Sequence, residues 1–155
     1  MLEWMHDPSV IKFMNTDFSS KKLVDCEKFI EKSQECISDL HMAISDDNDE
    51  YMGTVSLKNI DEIELCAEFA ITIRKKGMGK GYAIWGMREI LNKAFQELNL
   101  KFVYWYVSKM NMRAIKFYNK NEFKISDRLP EHIDVKISDK FYEDYYWYLV
   151  ENPSN

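Results

Sequence analysis

Residues 67 to 98 carry the pattern that most narrows what this chain can become. Ala67 to Ile73 is a largely apolar run of strand length. Arg74-Lys75-Lys76-Gly77-Met78-Gly79-Lys80-Gly81-Tyr82-Ala83 follows, dense in glycine and in basic residues. Ala83, Ile84, Met87, Ile90, Leu91, Ala94, Phe95 and Leu98 then recur at helical spacing and form one continuous stripe. A strand that feeds a glycine-dense basic turn and opens a helix suits an anion. Glycine lets the backbone approach a ligand closely. The first amides of a helix are unpaired and carry partial positive charge. Together they form a device for holding phosphate. The chain is acidic overall, with a net charge of −5, so the basic cluster is a local choice.

With 155 residues, the chain is expected to form one domain over 1–155 with a single sizeable core. The acidic balance argues against nucleic acid as the main partner. No apolar run is long enough to span a membrane. Met1-Leu2-Glu3-Trp4 has neither the basic nor the apolar region of a signal peptide. Cys26, Cys36 and Cys66 are widely spaced and form no CxxC pair, so neither a zinc site nor a disulfide framework is expected. No metal is expected, and a reducing cytoplasm is the simple compartment.

Trp4, Met5, Ile11 and Met14 around His6-Asp7-Pro8 suggest a short opening helical stretch. Ser19-Ser20 is placed to cap the next helix, on which Leu23, Cys26, Ile30 and Ile37 recur. Leu40 to Ser45 and Tyr51 to Leu57 read as strands joined by Asp46-Asp47-Asn48-Asp49-Glu50. That acidic run reads first as a solvated hairpin tip and second as an attractor for a cationic acceptor. Further strands are expected at Glu64 to Ile73, Phe102 to Val107, Lys124 to Ser126, Val135 to Ile137 and Tyr145 to Val150. A short helix is expected from Asn111 to Lys120, with Asn111 as N-cap. Residues 152–155 should fray. The strand–helix alternation of the second half implies an α/β or α+β sandwich.

Three patches then converge. The first is Ala67 to Ile73 followed by Gly79-Lys80-Gly81-Tyr82-Ala83. The second is Asn111, Ala114-Ile115 and Phe117-Tyr118. The third is Arg128-Leu129-Pro130-Glu131-His132-Ile133, with Tyr142-Glu143-Asp144 and Tyr148-Leu149. Over roughly residues 2 to 150 the chain resembles the GNAT superfamily of acetyl-coenzyme A-dependent N-acetyltransferases. It looks closest to the branch that holds ribosomal-protein N-terminal, polyamine and nucleotide-sugar amine acetyltransferases. The resemblance implies a mixed, splayed sheet with helices on both faces and acetyl-CoA wedged where two strands part. The family's first strand is missing here, because the chain opens on the first helix at residues 1–15; a truncated start is one account of this. The phosphate motif fits either as Arg74–Gly77–Gly79 or, in the preferred register, as Met78–Gly81–Ala83. In the second, Met stands where the family has a basic or amide residue, and Lys75, Lys76 and Lys80 can supply charge. The family's Gly-Phe after the second helix is Glu122-Phe123, so Asn121 is expected to make the left-handed turn.

The same resemblance implies the site. Ile71 and Ile73 would bond the pantetheine arm through their backbone, and a backbone amide of that strand would stabilise the oxyanion. Met78, Gly79, Lys80, Gly81, Tyr82 and Ala83 would hold the pyrophosphate. Tyr118 matches the residue that protonates the departing thiolate, and Asn111 the one that bonds cofactor or an ordered water. Each also has a plain reading: Tyr118 as a core aromatic, Asn111 as an N-cap. An alkylammonium has a pKa of about 10, so the amine needs a base. Glu68 matches the family's acidic position, with Glu64 and His41 as rivals and a solvated strand residue as the plain reading. Tyr104, Trp105 and Tyr106 sit where the acceptor pocket would lie, and alternation lets only one face of that strand line it. The implied activity is acetyl transfer to a primary amine, an amino sugar or other small molecule. Alternatives are a protein N-terminus, a polyamine, a non-catalytic acyl-CoA-binding module, or an inactive remnant. A homodimer is expected, joined through Tyr145 to Val150 or the first helix.

Overall fold

The computed structural model describes residues 1–127, 129–130, 133 and 143–154. The strand expected at Val135 to Ile137, and Arg128, Glu131, His132 and Tyr142 of the third patch, lie outside the described residues. The elements are α1 (Leu2–Met5), α2 (Pro8–Ile11), α3 (Leu23–Glu35), β1 (Leu40–Ser45), β2 (Tyr51–Asp61), β3 (Cys66–Ile73), α4 (Tyr82–Asn92), β4 (Phe102–Ser108), α5 (Met112–Lys120) and β5 (Tyr145–Glu151). A 3₁₀ turn at Lys75–Gly77 precedes α4, and a π turn at Lys93–Glu97 ends it.

The strands form one mixed sheet in the order β1-β2-β3-β4-β5. All neighbours are antiparallel except β3 and β4, which run parallel with α4 as their crossover. Among the described residues no strand precedes α1, and β1 is a sheet edge. This is the mixed α/β architecture expected from the sequence.

Alternation divides the side chains. Ile44, Val55, Leu57, Ala67, Phe69, Val103, Trp105 and Tyr148 enter one buried cluster with Met87, Ile90 and Leu91 of α4 and Ile115 and Tyr118 of α5. A Cβ on Gly86 would stand 2.4 Å from Ile44 Cδ1, so glycine lets α4 lie close on the sheet. A smaller cluster of Trp4, Met5, Val10 and Cys26 lies with the N-terminal helices, and Trp4 Nε1 donates to the Tyr51 hydroxyl at 3.0 Å.

Several local expectations are corrected. Helix α3 begins after Lys22, whose amide donates to the Asp25 carboxylate at 2.8 Å; Ser19 is held instead by Asp17. Of its expected stripe only Cys26 is buried, while Leu23, Ile30 and Ile37 are exposed. Strand β3 begins at Cys66 because the Asp61 carboxylate ties the amides of Ile63 and Glu64 into a turn. The strand expected at Lys124 to Ser126 reduces to one bridge, Ile125 with Tyr148. The left-handed turn after α5 is made by Glu122 at φ +64°, not by Asn121 at φ −99°. The Asn121 side chain donates back to the Phe117 carbonyl at 2.7 Å, which holds it in the helical cap.

Candidate active site

The central feature is a parting of β3 from β4. Cys66, Ala67 and Glu68 pair with Phe102, Val103 and Tyr104, and the parallel ladder stops there. Beyond it β3 stays paired with β2 as far as Ile73, and β4 stays paired with β5 as far as Ser108. The Arg74 amide donates to the Met52 carbonyl at 2.9 Å, which fixes the phase of β3. Alternate residues Thr72, Ala70 and Glu68 therefore bond toward β2, and Ile71 and Ile73 turn their N–H and C=O groups toward the gap.

The gap leads to the glycine turn. Gly81 caps α4 in the left-handed region at φ +90°, and Gly79 sits at φ +74°. A Cβ on either would meet nothing within 4 Å, so the space above the turn is open. The first helical bond runs from the Trp85 amide to the Gly81 carbonyl at 3.1 Å. The amides of Tyr82, Ala83 and Ile84 are thus free to face an anion. The Met78 amide is taken by the Lys75 carbonyl at 3.2 Å.

Arg74 is engaged away from the glycine turn. Its guanidinium donates to Glu50 Oε1 at 2.8 Å and to the Tyr51 carbonyl at 3.1 Å, and it pairs with Glu3 of α1. It is a strut between α1, the β1–β2 hairpin and the end of β3. Lys76 is likewise paired with Glu50. Hydrogen bonds from Lys76 lower the Glu50 pKa most, with Arg74 adding to them. The acidic run is therefore an anchored hairpin: Asp46 accepts from the amides of Asn48 and Glu50, both at 2.9 Å, and Glu50 binds the strut.

Tyr118 is 5 % exposed, its ring 5.3 Å from Trp105 and 4.9 Å from Tyr148. Burial pushes its pKa well above the ordinary phenol value. Asn111 caps α5, its side-chain oxygen accepting from the Ala114 amide at 3.2 Å. Its Nδ2 makes no hydrogen bond among the described residues. Glu68 is opposite Lys58 on β2 and Tyr104 on β4. Asn59 Nδ2 donates to it at 3.3 Å, and burial raises its pKa despite the nearby Lys58. Trp105 is core at 2 % exposure, which leaves half-buried Tyr104 and Tyr106 on the Glu68 face. The Glu68 charge and burial together raise both phenol pKa values, burial most.

The two rivals for the base have different surroundings. Glu64 belongs to the turn ahead of β3, at the closed end of the strands. His41 Nδ1 is 2.7 Å from Ser56 Oγ, its Nε2 is 3.8 Å from Asp39, and burial lowers its pKa. His41 lines a cleft of about 140 Å³ between the N-terminal helices and the sheet. Trp4, Phe18, Phe29, Thr54, Ser56, Lys58, Ile71 and Thr72 share that lining. Sequence reasoning missed Asn59 beside Glu68, Tyr148 beside Tyr118, and Arg113 of α5, whose Nη1 lies 3.3 Å from Met78 Sδ. The only signal for Arg113 was the departure at Met78 itself. Among the described residues no helix is long and apolar enough to cross a membrane.

A parted parallel pair running into a glycine-capped helix start is the arrangement of an acyl-coenzyme A transferase. The family model described as an acetyltransferase (GNAT) domain matches residues 1–124, and this chain belongs to that family. It is an acetyl-CoA-dependent N-acetyltransferase. Acetyltransferase PseH of Campylobacter jejuni is 29 % identical over 144 residues, covering 90 % of this chain and 85 % of that protein. Spermidine N(1)-acetyltransferase of Escherichia coli K12 is 35 % identical over 80 residues, 52 % of this chain and 43 % of that protein. The fold is similar to that of spermidine N-acetyltransferase from Vibrio cholerae in complex with CoA and spermine. There the TM-score is 0.78 at 21 % identity, over 97 % of this chain and 87 % of that one.

Proposed function

We propose that this enzyme acetylates the primary amine of a small molecule, with the reaction centred where β3 and β4 part. The observation that carries this is the unpaired edge of Ile71 and Ile73 running into the open glycine turn. A pantetheine arm bears amides that suit such an edge, much as a peptide adds to a sheet. Its diphosphate suits the free amides at the start of α4. When bound, acetyl-CoA supplies the activated thioester.

The residues divide the remaining work. A β3 amide donates to the carbonyl oxygen as negative charge grows on it. Glu68 takes a proton from the ammonium, directly or through water, so that nitrogen can bond to the acetyl carbon. As the carbon–sulfur bond breaks, the second proton that nitrogen sheds on becoming an amide passes to water, and Tyr118 gives its own proton to sulfur and regains one from solvent. The burial that raises the phenol pKa also raises that of the thiol it serves, so the two acids stay comparable. Asn111 offers its free Nδ2 to the cofactor or to a water.

The cleft supports an acceptor with a hydroxylated, uncharged body, an amino sugar among them. Thr54, Ser56 and Thr72 offer hydroxyls, Trp4, Phe18 and Phe29 offer ring surface, and no carboxylate lines it among the described residues. Lys58 lies between this cleft and Glu68 and would repel the further ammonium groups of a polyamine. The polyamine reading is favoured instead by Glu68 between Tyr104 and Tyr106, a carboxylate with ring faces for one cation. A thiol-release assay over amino sugars, polyamines and a peptide N-terminus separates these readings. CoA binding without release on any amine would leave only a binding module.

The homodimer expected from the sequence keeps half-buried Tyr145, Tyr146, Leu149 and Val150 of β5 as one candidate surface. Trp147 and Tyr148 of β5, and Trp4 and Met5 of α1, are buried within the chain. Leu23, Val24 and Ile30 of α3 are among the exposed apolar side chains and offer a second candidate surface. Light scattering on the wild type and Ile30→Glu tests this; a monomeric wild type sinks it.

A further inference from the structure

Met78 occupies the place at which the phosphate motif normally has a basic or amide side chain. Arg113 of α5 brings its guanidinium onto that methionine, Nη1 lying 3.3 Å from Sδ. A thioether is a weak acceptor, so the contact positions the group without satisfying its five donors. Among the described residues Arg113 makes no ion pair, whereas Arg74 and Lys76 are held by Glu3 and Glu50. Its charge reaches the loop that leads into the N-terminal helices: Asp7 has a lowered carboxyl pKa, chiefly from the Ser9 hydrogen bonds, with Lys75 and Arg113 adding attraction.

We propose that Arg113 is the side-chain ligand for the diphosphate of the coenzyme, replacing from α5 the cation that the glycine turn lacks at Met78. The proposal rests on the cofactor site described above. Three observations place it there. The guanidinium sits against the residue that begins the motif, 35 positions away in sequence. Gly79 and Gly81 leave the space beside it open. The Met78 amide already bonds Lys75, so this residue contributes neither a side-chain nor a backbone donor of its own. A guanidinium fork fits phosphate oxygens in pairs, which a lysine cannot do. Arg113 also starts on the helix capped by Asn111, so one short element would reach both the diphosphate and the far end of the arm.

Calorimetry of wild type, Arg113→Gln and Arg113→Lys with CoA, 3′-dephospho-CoA and pantetheine tests it. Arg113 is exposed at the surface of α5, and a thermal melt confirms that each variant is folded. The expected result is that Arg113→Gln binds CoA and 3′-dephospho-CoA about tenfold or more weakly, since hydrogen bonds to a charged group are the strong ones. Pantetheine binding should not move, and Arg113→Lys should recover only part of the loss. Loss confined to CoA would assign Arg113 to the 3′-phosphate and overturn the diphosphate role. Equal loss for pantetheine, or no loss at all, would overturn the proposal outright. A wild type that prefers neither nucleotide form over pantetheine would instead refute the phosphate turn itself.

Discussion

Trp105 and Tyr148 lie face to face across β4 and β5, their ring planes 4° apart and their centroids 5.3 Å apart. Both are sealed from solvent, and neither the indole N–H nor the phenol O–H has a hydrogen-bond partner among the described residues. The stack is apolar packing that carries two unsatisfied polar atoms. Tyr148→Phe keeps the ring and removes one of them. An unsatisfied buried group costs about 1–3 kcal/mol, so the variant should be more stable by roughly 1 kcal/mol. Urea unfolding at fixed pH measures this, and a loss of stability would show that the hydroxyl has a partner in solution.

Tyr118 sits in the same aromatic nest, and its hydroxyl is the proposed proton donor to sulfur. Tyr118→Phe should lower turnover by about 10²–10⁴-fold while acetyl-CoA affinity stays close to that of wild type. Full turnover across the pH range would make Tyr118 a packing residue only.

Glu68 offers a test in which stability and activity move in opposite directions. Its folded pKa is raised above the ordinary 4.5 by burial, so ionising it works against the fold. That penalty is absent below the ordinary value and complete above the raised one. Glu68→Gln should therefore melt higher than wild type at neutral pH and lose the advantage in acid. The base form is the ionised one, so wild-type turnover should rise with pH through the raised pKa. The variant should lack that limb. A pH-independent loss of turnover would point to a binding role instead.

Arg74 and Gly81 separate the two registers of the phosphate motif. Arg74→Ala removes a largely buried guanidinium from two carboxylates that stay solvent-exposed and should destabilise the fold by about 1 kcal/mol, with CoA affinity little changed in the folded fraction. Gly81→Val puts a branched side chain at φ +90° in the open space above the turn and should abolish most CoA affinity. The reverse pattern in calorimetry would favour the Arg74–Gly77–Gly79 reading.

Glu122 shows how a family glycine can be lost without losing its geometry. It takes φ +64°, and the Phe123 amide behind it donates to the Tyr118 carbonyl at 3.0 Å, closing the end of α5. Glu122→Gly should relieve the left-handed strain and add about 0.5–1 kcal/mol in a thermal melt. A destabilised variant would mean that the side chain is anchored in solution.

Most strands were legible because alternation reports burial directly: Leu40 to Ser45 came out unchanged. The π turn at Lys93–Glu97 was not, since Ala94 and Phe95 are as apolar in a π turn as in an α-helix. Helix α3 misled for a related reason. Its spacing fits a buried face, but only Cys26 found something to cover it. Local backbone signals were legible where Gly81 heads α4 at φ +90° and Asn111 caps α5. What the sequence hid was contact at a distance: Arg74 tied to Glu3, Arg113 laid on Met78, Asn59 beside Glu68. Such pairs carry no periodic signature, and a single sequence offers nothing else to read them from.

The parting of β3 from β4 also means that the protein alone is an unfinished sheet. Beyond Glu68 the inner edges of two half-sheets have no ladder between them, and the seam is stitched only at its closed end. A ligand that spans the opening acts as the missing strand, and by mass action it stabilises whatever it bridges. The seam should be the place where solvent deuterium enters fastest and where the coenzyme slows it most. The amides of Ile71 and Ile73 would report that closure one residue at a time, before any acetyl group has moved.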